Sequence, residues 1–199
     1  NPKNVNELNK FGYTVINDFF DYDTDILPIQ NEIMNVIFFV AKRHGINLNY
    51  QKKFSKNFSY FFNNLIKIDR KHGSEVYDLI KQIPSFLRLV SGKKSEELFC
   101  KLRNTENSGI SPGSYGIRID LPNEDEFLAH WHQEFFYQPQ SIDGLVFWTP
   151  LVNITNEIGP VKILEKSHKD NLQYYCKNKK YSFKKGRSEE RRVGKECER

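Results

Sequence analysis

Cysteine is scarce in this 199-residue chain: Cys100, Cys176 and Cys197 are an odd and unpatterned set of three. That excludes a disulfide scaffold and points to a reducing, cytoplasmic compartment. Long hydrophobic runs are also missing. No stretch approaches the roughly 18 apolar residues that span a bilayer, and the most apolar window, Ile33 to Ala41, is broken by Asn35 and suits a buried helix. No membrane partner is expected. The start has no signal-peptide pattern, and the chain opens at Asn1 without Met, so its natural N-terminus is expected upstream. With no repeat and no low-complexity linker, one domain with a real core is expected.

What the chain does have is rings. Phe and Tyr number 16 and 10, so the core is expected to rest on aromatic more than aliphatic volume. Its charged and hydrophobic fractions describe a globular chain and exclude a disordered one. The net charge of +5 raises a nucleic-acid reading. Lys177, Lys179, Lys180, Lys184 and Lys185 alternate with Tyr174, Tyr175, Tyr181 and Phe183, and basic stripes with stacking rings bind single strands. Basic residues are scattered elsewhere as well, so an exposed Lys-rich loop or edge is preferred and a nucleic-acid partner disfavoured.

Helical patterning dominates residues 1–103. Val5 to Lys10 reads as a short helix before a strand at Tyr13 to Asn17. Asp21 or Asp23 caps a helix carrying Ile33, Val36, Ile37, Val40 and Ala41, with Pro28 near its first turn and Gly45 as its stop. Phe54, Phe58, Phe61, Phe62 and Leu65 repeat at three and four residues. Ser74 to Gln82, Ser85 to Val90 and Ser95 to Lys101 read as further helices, broken at Pro84 and Gly92. Turn signals then cluster after Asn104, and residues 104–186 read as β-rich. Strands are expected at Tyr115 to Asp120, Glu126 to Phe135, Gly144 to Val152 and Gly159 to Leu164. A helical half followed by short strands suits an α+β fold.

The chemistry-bearing motif is Ala129-His130-Trp131-His132-Gln133-Glu134. On a strand, His132 and Glu134 share a face and can close on one metal ion. Imidazole and carboxylate, completed by a distant second His, are the ligand set of non-haem Fe(II) oxygenases. A solvated strand with a satisfied His is the plain alternative. His130 shares that face, but about 13 Å of strand separates three same-face residues, too far for His130 and Glu134 to chelate one ion easily.

Tyr137 and Ser141 follow, then Gly144-Leu145-Val146-Phe147-Trp148-Thr149-Pro150-Leu151, then Asn156 through Leu164, and Ser167-His168-Lys169. In that order these residues resemble the phytanoyl-CoA dioxygenase family, whose pattern reads W-H-Q-D, aromatic, Ser, W-x-P-L, N-G and P-G-S-H-K. Phe11 to Phe20 is similar to that family's N-terminal opening. The resemblance implies helices packed on a double-stranded β-helix of the cupin or jelly-roll type. It also implies an Fe(II)- and 2-oxoglutarate-dependent dioxygenase using O2 to hydroxylate a small organic or acyl substrate.

By position in that pattern His132 and Glu134 would be metal ligands, Glu134 standing where the family has Asp. Trp148 would border the cosubstrate pocket. Arg118, two residues from Asp120, could meet an anionic cosubstrate or pair with Asp120 at the surface. Trp131 and Gln133 read as support, and Tyr137 and Ser141 as the substrate mouth or as a loop ring and a cap. His168 matches a structural His, with Glu165 and Lys166 replacing the family's Pro and Gly; a Lys suits that turn poorly if it needs positive φ. A cupin-like small-molecule binding protein without the chemistry is the alternative.

Arg187 to Cys197 resembles the translation of a sequencing adapter, so 187–199 is expected to be a non-native tail behind a single domain over 1–186. Removing it deletes five basic and four acidic residues and leaves a net charge of +4. No candidate for the family's second His ligand or its 2-oxoglutarate-binding Arg follows His168, so the barrel is expected to be cut before its last strands and the fragment to aggregate.

Overall fold

The helix Leu27–Arg43 is the element against which most of the others are laid. A computed structural model describes residues 2–49, 58–121, 131–136, 138, 139, 141 and 143–170. Within them the helices follow in order as α1 (Pro2–Phe11), α2 (Leu27–Arg43), α3 (Phe58–Ile68), α4 (Arg70–Ile80), α5 (Pro84–Ser91) and α6 (Lys93–Arg103).

α2 grows out of one widened helical turn, Tyr22–Ile26, whose start is capped by the Asp21 carboxylate accepting from the Thr24 amide at 2.8 Å. Pro28 sits in its first turn, where a missing N–H costs nothing. Ile29, Ile33, Met34, Ile37, Val40 and Ala41 recur at three and four residues and are all buried. The helix stops at His44, and Gly45 follows with φ +67°. That is the stop the sequence predicts.

α3, α4 and α5 each pack on α2. Phe62, Leu65, Val76 and Ile80 are fully buried there with Ile29, Ile37 and Val40. Each such side chain contributes roughly 1.5–3 kcal/mol relative to exposure. α3 and α4 approach closely at Gly73, where an added Cβ would lie 2.8 Å from the Ile66 methyl. α4 is capped by Asp69, α5 opens with Pro84, and α6 ends on Asn104 in the left-handed region at φ 51°. Among the described residues no helix is long and apolar enough to cross a membrane.

The expected α+β architecture is not observed. Among the described residues there is no strand, no sheet and no barrel, and the regular structure is helical. Residues 115–121 are the instructive case. Ile117, Ile119 and Leu121 are buried while Gly116, Arg118 and Asp120 are exposed, the alternation of a half-buried strand. The segment lies on the helical core, and a side chain supplies what a neighbouring strand would have supplied. The Tyr77 hydroxyl accepts the Ile119 amide at 2.9 Å and donates to the Ile119 carbonyl.

Residues 144–152 are likewise held by side chains. Arg103 donates to the carbonyls of Asp143 and Gly144 at 2.8 and 3.2 Å, and buried Gln30 donates to that of Leu151. Here even the alternation fails, because consecutive Val146, Phe147 and Trp148 are 62, 40 and 51% exposed. Residues 13–17 and 159–164 pair in no ladder either. Of the expected strand 126–135, residues 126–130 lie outside the described residues and 131–135 bend into a single helical turn.

α1 touches α6 and buries none of its own residues. Its C-terminal end is met by the turn Ser167–Lys169. The Lys166 amide donates to the Phe11 carbonyl at 2.8 Å, a His168 ring nitrogen lies 3.2 Å from the Asn9 carbonyl, and the Tyr13 hydroxyl donates to Glu165 at 3.0 Å. The closest approach falls at Gly12, φ +87°, where a Cβ would stand 2.5 Å from the His168 ring.

Candidate metal centre

His132 and Glu134 are brought together, though not by strand alternation. Glu134 opens the one-turn helix Glu134–Phe136, whose curl returns its carboxylate to the residue two positions before it. His132 Nε2 and Glu134 Oε1 are 2.9 Å apart, and the side chains are 28 and 47% exposed. The hydrogen bond from His132 holds the Glu134 carboxyl below the usual carboxylate range, against the opposing pull of burial. Neighbouring donors on an octahedral ion with bonds of about 2.1 Å lie about 3.0 Å apart. An ion held by both would replace this hydrogen bond.

Beside the pair, the buried indole N–H of Trp131 meets no acceptor among the described residues. Ser141 is exposed and its hydroxyl accepts the Asp143 amide at 3.1 Å, the cap reading. Tyr137, His130 and the Lys- and Tyr-rich segment from 174 to 185 lie outside the described residues, as do Cys176 and the 187–199 tail.

Arg118 is on the exposed face of residues 115–121. Its guanidinium grips Asp120 through two contacts of 2.7 and 3.4 Å, and that hydrogen bonding raises its pKa. This is the surface pair that the spacing allows. Trp148 stands half exposed on the 144–152 segment. A concavity of about 500 Å³ lies between Lys3 and Asn17 and another of about 240 Å³ between Phe20 and Lys94, and none of His132, Glu134, Arg118 or Trp148 lines either.

A second group of donors, which motif reading passes over, converges at the other end of α2. His44 follows the last residue of that helix, and His72 and Glu75 stand in the first turns of α4. One donor atom from each lies within 4.8 Å of the others. His44 Nε2 is 2.7 Å from Glu75 Oε2, Arg43 donates to Glu75 Oε1 at 2.8 Å, and the two imidazole rings are 4.2 Å apart. The hydrogen bond from His44, with the charge of Arg43 behind it, holds the Glu75 carboxyl low. His72-x-x-Glu75 on a helical pattern was the available signal, since residues three apart share a helix face. His44 was not visible without the α2–α4 packing.

No protein-family model, no curated protein and no solved structure matches this chain.

Proposed function

We propose that the chain is part of an Fe(II)- and 2-oxoglutarate-dependent dioxygenase that hydroxylates a small organic or acyl substrate in the cytoplasm. The observation that carries this reading is the 2.9 Å approach of His132 Nε2 to Glu134 Oε1, within a motif order that resembles the phytanoyl-CoA dioxygenase pattern. The reading rests on the donor pair and that order. His132 and Glu134 would hold the iron, with a further ligand supplied from outside the described residues. Bound iron, 2-oxoglutarate and O2 would supply the oxidising chemistry for an unactivated C–H bond. The chain's own part is to hold an imidazole and a carboxylate side by side.

The test is turnover of 2-oxoglutarate to succinate by the full-length gene product, with and without Fe(II). Expected is iron-dependent succinate formation that falls at least a hundredfold in His132→Ala. No succinate formation with Fe(II) overturns the proposal in favour of a binding protein without this chemistry, and equal turnover in His132→Ala overturns His132 as a ligand.

A further inference from the structure

The α2–α4 junction places two imidazoles and a carboxylate around one point on the surface of the helical half, far from His132 in sequence. An ion-pair network accounts for Arg43 and His44 on Glu75, but not for a second imidazole 4.2 Å from the first. We propose that His44, His72 and Glu75 bind one divalent transition-metal ion of the zinc and nickel class, clipping the end of α2 to the start of α4.

The donor chemistry selects the class of ion. Two neutral nitrogens and one carboxylate oxygen suit borderline metals, whereas calcium and magnesium prefer oxygen donors throughout. The geometry needs little adjustment. Tetrahedral ligands with bonds of about 2.1 Å stand about 3.4 Å from one another, and the three donor atoms already lie within 4.8 Å. His44, outside the helix body and with a side chain 36% exposed, can make up the difference by side-chain rotation.

The ion would replace the contact between His44 Nε2 and Glu75 Oε2. Oε1 stays with Arg43, which thereby orients the carboxylate from behind, the arrangement by which outer partners fix a ligand. Arg43 is 63% exposed, so solvent screens its repulsion of a dication. The carbonyl end of α2 adds partial negative charge beside His44. Three protein donors leave a fourth position for water.

The inference is independent of the iron pair. Its test is titration of the chelator-treated full chain with Zn2+ alone, followed by calorimetry and by the imidazole-ring NMR signals of the five histidines. Expected is a saturable site at which the His44 and His72 ring signals move together, separate from any uptake at His132. Affinity should drop at least tenfold in His72→Gln and in Glu75→Gln, with unchanged helical circular dichroism, and be retained in His132→Gln. Ring signals of His44 and His72 that stay in place at saturating Zn2+ overturn the proposal, and this readout on the parent chain needs no variant to fold. Uptake that is lost with His132→Gln and kept with His72→Gln also overturns it.

Discussion

At Tyr77 one hydroxyl meets both backbone groups of Ile119, and burial, the largest influence on it, raises the phenol's pKa. Tyr77→Phe keeps the ring against Phe62 but leaves an N–H and a C=O unmet under residues 115–121. We expect it to lower unfolding free energy by about 1–3 kcal/mol in urea titrations. Lys166, which is exposed, is a second lever on a single position. It sits at φ +65°, where a Cβ is strained, and the side chain has no role in the turn's backbone bonds. Lys166→Gly should raise stability by about 0.5–1 kcal/mol, read from the thermal midpoint. The substitution of Lys for the Gly of the resembling pattern was legible in the sequence. The positive φ that gives it meaning came only with the turn's docking on α1.

Among the elements, the helices were legible and the strands were not. Ile33, Ile37 and Val40 repeat with the pitch of the helix they form, and capping or breaking residues marked their ends at Asp21, Pro84, Gly92 and Gly45. Within the stretch read as the strand Tyr115 to Asp120, and running on to Leu121, Ile117, Ile119 and Leu121 alternate onto one buried face although no strand pairs there. What covers such a face cannot be read from alternation, and here it is helices and a tyrosine. The start of α2 gives a pH dependence of its own. The Thr24 amide, followed by the Thr24 hydroxyl, lowers the Asp21 pKa below its ordinary 3.8. A depressed carboxylate contributes fully above the unfolded value and loses its contribution as pH falls through the folded one. The Thr24 amide resonance should therefore titrate with a midpoint below 3.8, and Asp21→Asn should abolish that titration.

For the molecule as a whole, order is uneven along the chain. α2 and α4 bury their apolar faces in one core, while residues 144–164 hold no long helix, pair in no ladder and expose Val146, Val161, Ile163 and Leu164. Hydrogen exchange should find the amides of α2 and α4 slowest and those of 144–164 exchanging orders of magnitude faster. Equal protection across both would contradict this picture. The same unevenness explains which donors motif reading could find. His132 and Glu134 are neighbours in sequence, whereas Glu75 is 31 residues from His44 and joins it only through tertiary packing.

The seam between α1 and the Ser167–Lys169 turn has a consequence for how the chain is made. Its partners Asn9 and His168 are 159 residues apart, and synthesis at about 5–20 residues per second separates their emergence from the ribosome by roughly 8–30 seconds. For that interval the carbonyls at the end of α1 wait for donors that do not yet exist. α1 is thus made long before this contact can lock it.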